Sequence, residues 1–395
     1  MQIIEINSLK QAQAEIFEIG CDSAGIQIMS RKAISKAIKI KKVTTPAALI
    51  LKQEMLALGG DAVNARGVIT GQREPADLLL LGTLAQYQKL ITKLQEQSFG
   101  LDKLGLELGK ALRLYQQKPS GLLLPSGKTL NLEKAVIMGI LNCTPDSFSD
   151  GGQFSNQAQA VTHASQMIQD GATIIDVGGE SSRPGAQPVS EDEELARVLS
   201  VIEKLAPQTI ISIDTTKAIV AQKALKAGAQ IVNDITALRG DTRMAGIVAE
   251  AYCPVVLMHM QETPQTMQEA PAYTDIMSEL SYFFEERIEF ALKSGIAEEK
   301  IILDPGIGFG KTTEHNLTIL NCLEQLQIFG RPIMLGTSRK SVIGNILNAS
   351  TSDRLEGTAA TVCLGVFKNA KIIRVHDVQA MSRVIKMTEA IINEG

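Results

Sequence analysis

The 395-residue sequence has no tryptophan and few other aromatic residues, and none of its apolar runs approaches the roughly 18 residues of a membrane span. Its first residues lack both the basic segment and the apolar segment of a signal peptide. The five cysteines are dispersed and include no C-x-x-C pair, which argues against a disulfide framework and suggests reduced thiols. We therefore expect a soluble, cytoplasmic protein with no membrane partner.

An excess of positive charge is also missing. The formal net charge of −4 argues against bulk binding of nucleic acid or anionic lipid, because both need a basic surface. The one basic run, residues 31–42, has six Lys or Arg residues and no acid, but no aromatic residues lie among them. We interpret it as a solvated helix or strand face rather than an RNA-binding patch. An anionic ligand would need cations placed within a site.

The length fits two domains, one of them large. Residues 1–118 are predicted to form a small α/β domain of unknown role, which we interpret as a packing or assembly domain. Residues 119–134 are predicted to form a linker and a hairpin at the base of the larger domain. Within the small domain, the pattern predicts strands at 2–6, 25–29 and 78–81 and helices at 9–18, 46–58, 84–97 and 101–114.

Residues 135–395 repeat a strand–loop–helix pattern eight times. The predicted strands are near-continuous Val, Ile and Leu runs, which are typical of parallel strands covered on both faces. Eight such units in about 260 residues favour a closed (β/α)8 TIM barrel over an open doubly wound sheet. The strands are predicted at 136–142, 173–179, 209–214, 231–236, 254–260, 301–307, 332–337 and 371–376, and the helices at 155–170, 190–206, 216–227, 242–252, 273–295, 313–327, 352–369 and 378–393.

Polar residues follow every predicted barrel strand, at the end of the barrel where such folds place their active sites. A single Asp or Asn at such a position is often a turn or helix cap. A ring of eight polar strand ends is not needed for stability, so the set indicates a site. Four of its members suit a flat heterocycle with an amino group, a ring N–H and a carbonyl. These four residues are Asp214, Asn233, Asp304 and Lys340.

Arg374 and His376 alternate on the last strand, so both point into the barrel mouth and provide a fork for a phosphate and a second donor. The alternative for Arg374 is a salt bridge with Asp377 or with another acid at the rim. Asn142 offers an oxygen ligand for the Mg²⁺ that accompanies phosphate. Cys143 is interpreted as a small buried filler rather than a nucleophile. We therefore expect chemistry based on departure of a phosphorylated leaving group, helped by cations and a metal.

Seven motifs, in order along residues 122–395, resemble those of the dihydropteroate synthase family. They are NCTPDSFSDGG (142–152), GGESSRPG (178–185), IDT (213–215), VND (232–234), DPGIGFGK (304–311), SRKS (338–341) and RVHD (374–377). One motif alone would be weak, but seven in register exclude chance. A pterin-dependent methyltransferase on the same barrel would not need the phosphate fork. A P-loop is excluded because Pro305 occupies the place of its first glycine, and the complete polar ring disfavours a non-catalytic pterin-binding barrel.

The resemblance implies a transferase of folate biosynthesis that is a sulfonamide target. It condenses 6-hydroxymethyl-7,8-dihydropterin pyrophosphate with 4-aminobenzoate, by an SN1-like path, to give 7,8-dihydropteroate and pyrophosphate. The implied pterin site is Asp214, Asn233, Asp304, Lys340 and Arg374, and the implied pyrophosphate site is Asn142, Arg374 and His376, with Mg²⁺ at Asn142. The implied catalytic residues are Asp150, Lys340, Arg374 and His376. The residues implied to seat the aminobenzoate or to close over the site are Phe148, Ser182, Arg183, Pro184, Phe309 and Ser341.

The sequence departs from the family pattern at three points. Cys143 replaces the usual aliphatic residue, and Ser182 stands where the family usually has threonine. The third departure is the front segment of about 120 residues, on which the pattern of the core enzyme is silent. The family resemblance also implies a homodimer that assembles through the later barrel helices.

Overall fold

The structure is a computed structural model that describes residues 1–72, 75–144, 153–181, 187–262, 266–267 and 270–393, with the backbone alone for 153–156. The chain folds into two compact units, Met1–Leu114 and one that begins at Tyr115. The division falls within a helix, Leu101–Gln116. The predicted domain limits at 118 and 134 stay predictions.

The first unit is a three-stranded antiparallel sheet with five helices among its described residues. Its elements are α1 (Leu9–Glu18), α2 (Ser23–Ser30), β1 (Ser35–Val43), α3 (Thr45–Ala57), β2 (Asp61–Asn64), β3 (Ala76–Thr83), α4 (Leu84–Leu94) and α5 (Leu101–Gln116), and the strand order is β1-β3-β2. The core packs α3, α4 and α5 against the sheet through buried Leu51, Leu80, Tyr87 and Leu108. The Tyr87 hydroxyl lies within hydrogen-bond distance of the backbone carbonyls of Lys36 and Leu80, on two neighbouring strands, at 2.7 and 3.0 Å.

Two of the strands predicted in this unit are wrong. Residues 2–6 form no strand, and residues 25–29 belong to α2. The side chain of Asp22 caps this helix by accepting a hydrogen bond from the Gly25 N–H at 2.7 Å, a local interaction that outweighs the strand propensity of two isoleucines. The strands β1 and β2 were not predicted. The basic run lies largely on β1, whose positions alternate between exposed and half-buried along most of its length, which agrees with a solvated strand face.

The second unit is the predicted barrel. Its eight strands are parallel, in the order β11-β10-β9-β8-β7-β6-β13-β12, and a bridge between Leu303 and Ile333 joins the two ends of this order. The strands are β6 (Val136–Asn142), β7 (Ile174–Gly178), β8 (Ile210–Asp214), β9 (Ile231–Asp234), β10 (Val255–Met258), β11 (Ile301–Asp304), β12 (Met334–Leu335) and β13 (Ile372–Val375). Each strand lies within its predicted range, usually one to three residues shorter at an end.

The barrel helices also follow the prediction, with two differences. They are α6 (Gln153–Gln169), α7 (Glu191–Leu205), α8 (Ala218–Lys226), α9 (Met244–Ala251), α10 (Ile276–Lys293), α11 (Thr313–Asn321), α12 (Ser341–Leu347), α13 (Leu355–Phe367) and α14 (Val378–Asn393). The helix predicted for 313–327 ends at Asn321, because Cys322 leaves the helical region, and a 3-10 segment follows. The short α12 was not predicted. None of the described helices combines the length and the apolar character needed to cross a bilayer.

A hairpin fills the amino-terminal end of the barrel. Its strands are β4 (Gly121–Leu123) and β5 (Thr129–Asn131), as predicted. Four leucines of this hairpin, here called the hairpin plug, form one apolar cluster with the first inward-facing residues of the barrel strands. The plug residues are Leu122, Leu124, Leu130 and Leu132, and their partners are Met138, Ile174, Ile231, Val256, Ile302, Met334 and Ile372. The Nζ of Lys371 donates to the backbone carbonyl of Glu133 at 3.0 Å and ties the hairpin to β13.

We expect Leu132→Ala to lower the free energy of unfolding by about 2–5 kcal/mol, because Leu132 is fully buried and its truncation leaves a cavity in the plug. Leu123→Ala is the matched control, since Leu123 lies in the same hairpin but is 40% exposed, and its effect should stay within about 0.5 kcal/mol. Chemical denaturation of both variants measures the difference. Equal stability of the two variants would contradict the role of the plug.

Candidate active site

Directly above the apolar cluster, the interior of the barrel becomes polar. Inward-facing residues alternate along each strand, so the next inward position lies two residues after the apolar one. On five of the eight strands this next inward position is polar. We call these five positions the polar layer, and they lie on β7, β8, β9, β11 and β13. The polar layer consists of Asp176, Ser212, Asn233, Asp304 and Arg374, and all but Arg374 are at most 4% exposed. The hairpin plug thus closes one side of a layer whose other side faces the barrel mouth.

Arg374 links two acids of this region. Its Nε donates to Oδ2 of Asp176 at 2.6 Å, and its Nη2 donates to Oδ2 of Asp214 at 2.7 Å. Asp377 pairs instead with Arg339, whose Nε and Nη2 reach its two carboxylate oxygens at 2.9 and 2.5 Å. Arg374 therefore does form salt bridges, as the alternative prediction said. Its partners are acids inside the barrel, however, and not Asp377.

Asp176 is among the polar residues that follow the predicted strands, but our prediction of the site gave it no role. Its side chain is fully buried, and Oδ2 accepts hydrogen bonds from both Arg374 Nε and the Nδ2 of Asn233, the latter at 3.0 Å. A sequence signal exists, because Asp176 is the one charged residue in a strand otherwise made of Ile, Val and Gly. A carboxylate in such a strand is costly to bury unless it is paired, and that argument would have indicated a buried charge partner for it.

Asp304 and Lys340 form the opposite wall. Burial raises the pKa of Asp304, and the positive charge of Lys340 opposes this rise. The Oδ1 of Asp304 accepts a hydrogen bond from the Gly306 N–H at 2.7 Å. Desolvation lowers the pKa of Lys340 to about 8, although Asp304 opposes the shift. The Nζ of Lys340 contacts the backbone carbonyl of Ile307 and lies 4.6 Å from the centre of the Phe309 ring, a cation–π distance.

A buried lysine that the prediction missed holds the loop after β11. The Nζ of Lys311 donates to the carbonyls of Gly306 and Phe309 at 2.9 Å and of His259 at 3.2 Å, and it lies 2.9 Å from His259 Nδ1. Burial and the charge of Lys311 lower the pKa of His259 to about 2, so the imidazole is neutral. Gly306 has a φ of 67°, and a Cβ there would lie 2.0 Å from the His259 carbonyl oxygen, so only glycine fits.

The remaining predicted residues lie around this centre or outside the described residues. Asn142 is half-buried at the end of β6, in register with Gly178, which is itself opposite Asp214. The ring nitrogen Nδ1 of His376 lies 3.0 Å from Ser338 Oγ. Ser341 is exposed as the first residue of α12. Five predicted residues lie outside the described residues: Phe148, Asp150, Ser182, Arg183 and Pro184.

The geometry thus brings together Asp214, Asn233, Asp304, Lys340, Arg374 and Phe309. Arg374 contacts Asp214 directly and Asn233 through Asp176, and Lys340 contacts Phe309. Burial also raises the pKa of Asp214, while Arg374 opposes that rise and the nearby Asp176 adds to it. The centre combines buried acceptors with two half-buried cations, which is the pattern of a site for a polar, flat, partly anionic ligand.

Comparisons with known proteins agree with this geometry. The family described as "Pterin binding enzyme" matches residues 138–376. A dihydropteroate synthase of Bacillus subtilis is 48% identical over 265 residues, which cover 67% of this chain and 90% of that protein. The chain belongs to the dihydropteroate synthase family.

Solved structures extend this similarity to the fold. A dihydropteroate synthase of Xanthomonas albilineans, solved with 4-aminobenzoic acid, superposes with a TM-score of 0.65 at 40% identity and covers 69% of this chain and 98% of its own. The predicted (β/α)8 barrel, the predicted family and its transferase class are confirmed.

One relative reaches beyond the barrel. A probable bifunctional folylpolyglutamate synthase/dihydropteroate synthase of Halobacterium salinarum is 36% identical over 387 residues, which cover 98% of this chain and 46% of that protein. The front unit of this dihydropteroate synthase family member therefore has a counterpart in that longer protein, although the Bacillus relative matches 67% of the chain.

We expect Lys311→Met to lower the free energy of unfolding by about 3 kcal/mol or more, because each buried acceptor left without a donor costs about 1–3 kcal/mol. Lys223→Met on α8 is the control, since Lys223 is exposed and its replacement should cost no more than about 0.5 kcal/mol. Chemical denaturation compares the two variants. A loss below about 1 kcal/mol for Lys311→Met would show that other donors satisfy these acceptors.

Proposed function

We propose that this protein joins 6-hydroxymethyl-7,8-dihydropterin pyrophosphate to 4-aminobenzoate, forming 7,8-dihydropteroate and pyrophosphate. The observation that carries the proposal is the polar layer, where buried acceptors and Arg374 lie next to Lys340 inside an otherwise apolar barrel. Membership of the dihydropteroate synthase family and the 4-aminobenzoic acid bound to the Xanthomonas enzyme support the same substrates.

The pterin ring would be recognised by its pattern of donors and acceptors. The carboxylates of Asp304 and Asp214 and the Oδ1 of Asn233 accept from the amino group and ring N–H groups. Asn233 Oδ1 is buried and has no hydrogen-bond partner among the described residues, so it suits a ligand donor. Lys340 would donate to the ring carbonyl, and Arg374 would lie against the ring face.

The pyrophosphate would be held by Arg374 and His376, with Mg²⁺ at Asn142. The Asn142 side chain makes no hydrogen bond within the described residues, so its oxygen is available as a ligand. The same residues contain no cluster of three His, Cys, Asp or Glu side chains that could hold a metal. A site with one protein oxygen fits Mg²⁺, which commonly completes its shell with water and substrate phosphates. When bound, the ion would neutralise charge on the leaving pyrophosphate.

The chemistry would begin with cleavage of the bond between the pterin methylene carbon and the pyrophosphate oxygen. The electron pair leaves with the pyrophosphate, where the cation of Arg374 and the donor of His376 stabilise it. The 4-aminobenzoate nitrogen then attacks the methylene cation, forming the C–N bond, and its proton passes to the released pyrophosphate or to water. Three further contributions stay predictions. Asp150 is predicted to stabilise the cation, and Phe309 and Ser341 are predicted to seat the aminobenzoate. The residues predicted to close over the site are Phe148, Ser182, Arg183 and Pro184. The cytoplasmic location and the homodimer also stay predictions.

The activity is tested by release of pyrophosphate from dihydropterin pyrophosphate with Mg²⁺, with and without 4-aminobenzoate. We expect release to depend on 4-aminobenzoate and to be inhibited competitively by a sulfonamide. Arg374→Ala should raise the KM for the pterin pyrophosphate about 10- to 100-fold, because a charged contact worth about 1.5–3 kcal/mol is lost. Arg243→Ala, which removes an exposed arginine paired with Asp241, is the control. An unchanged KM in Arg374→Ala would place the phosphate elsewhere.

The protonation state of Lys340 predicts how activity changes with pH on the alkaline side. Lys340 carries its proton below its pKa of about 8 and loses it above, so the ring carbonyl then loses a charged donor. We expect kcat/KM for the pterin pyrophosphate to fall above pH of about 8. The arginine of Lys340→Arg keeps its charge at every accessible pH. The fall in kcat/KM should therefore shift to higher pH or disappear in this variant. A profile that is flat through this range in the unaltered enzyme would contradict the assignment.

A further inference from the structure

We propose that Asp176 is a positioning residue that orients Asn233 and Arg374 together, so that Asn233 presents its carbonyl oxygen to the bound ring. The inference rests on the proposed function and deepens it, because it explains why the site selects a ligand whose ring edge is rich in N–H donors. We assign the ligand contacts to Asn233 and Arg374, although Asp176 Oδ1 is, like Asn233 Oδ1, buried without a hydrogen-bond partner among the described residues.

The orientation of the Asn233 amide follows from the chemistry of its neighbour. Asp176 Oδ2 already accepts a hydrogen bond from Arg374 Nε, so the amide group of Asn233 that faces this oxygen at 3.0 Å is the NH₂ group. A flipped amide would set its oxygen against the carboxylate oxygen. Asn233 Oδ1 is therefore the atom left over, and it is buried without a partner among the described residues. A buried acceptor of this kind needs a donor, and a ligand can supply it.

The same carboxylate oxygen also holds the guanidinium. Asp176 Oδ2 accepts from Arg374 Nε at 2.6 Å, and Asp214 accepts from Nη2 of the same side chain. One oxygen thus joins side chains from three strands, β7, β9 and β13. Because the guanidinium is planar and is held at two of its nitrogens, its plane is fixed before any ligand arrives. A bound ring would then meet an arginine and an amide that are already in place.

A purely structural role for Asp176 is the competing explanation, and the chain offers a matched control for it. Asp234 is the neighbour of Asn233 on β9 and is also fully buried. Its carboxylate accepts from the Thr236 N–H at 2.8 Å, the Thr236 hydroxyl at 2.6 Å and the Leu238 N–H at 2.8 Å. These donors all belong to the following loop, so Asp234 tests the cost of neutralising a buried carboxylate outside the polar layer.

The experiment compares Asp176→Asn with Asp234→Asn in the full chain. Calorimetric titration with 6-hydroxymethylpterin should give a Kd at least about 10-fold higher for Asp176→Asn than for Asp234→Asn, measured beside the thermal midpoint of each variant. Steady-state assays should show a raised KM for the pterin pyrophosphate and an unchanged KM for 4-aminobenzoate. In an Asn233→Ala background, Asp176→Asn should weaken pterin binding by a smaller factor than in the unaltered chain, because part of its effect acts through Asn233.

Equal loss of pterin affinity in Asp176→Asn and Asp234→Asn would overturn the positioning role, as would full additivity with Asn233→Ala. In either case the unaltered enzyme would still bind the pterin and release pyrophosphate, so the proposed function would stand. Absence of pterin binding by the unaltered enzyme would overturn the proposed function, and the inference with it.

Discussion

The pairing of Arg374 with Asp176 and Asp214 is the interaction on which the rest of the site depends. A barrel interior normally excludes charge, and an ion left there without a partner costs several kcal/mol. Here, one guanidinium joins two carboxylates from neighbouring strands at 2.6 and 2.7 Å. The hairpin plug seals the amino-terminal side of this layer with leucine. The charges can therefore meet a ligand only from the mouth of the barrel.

Burial of these groups also sets their chemistry. Desolvation raises the pKa of Asp304 and lowers the pKa of Lys340, while each charge opposes the shift of the other. Opposed shifts of this kind, caused by burial beside a charge partner, cluster at functional sites. The loop that carries Phe309 is held against them by Lys311, a buried amine that serves backbone carbonyls instead of a ligand. Lys340 and Lys311 therefore have different roles.

Much of this arrangement could be predicted from the sequence, because strand alternation and strand ends determine which side chains share the barrel mouth. Asp214, Asn233, Asp304 and Lys340 were found in this way. Contacts between distant strands could not be predicted: the pattern of residues does not show that Arg374 takes Asp176 rather than Asp377, nor that Lys311 turns inward. In the front unit, the N-cap at Asp22 stabilises a helix at residues for which the apolar pattern had predicted a strand.

The central claim is that the polar layer is a slot for the pterin ring, and the most direct measurement is calorimetric titration of Asp304→Asn with 6-hydroxymethylpterin. Asparagine keeps the size of the side chain and can still accept from the Gly306 N–H, but it removes the charge that faces the ring donors. We expect the Kd to rise about 10- to 150-fold, because one charged hydrogen bond to the ring is lost. An affinity equal to that of the unaltered protein would contradict it.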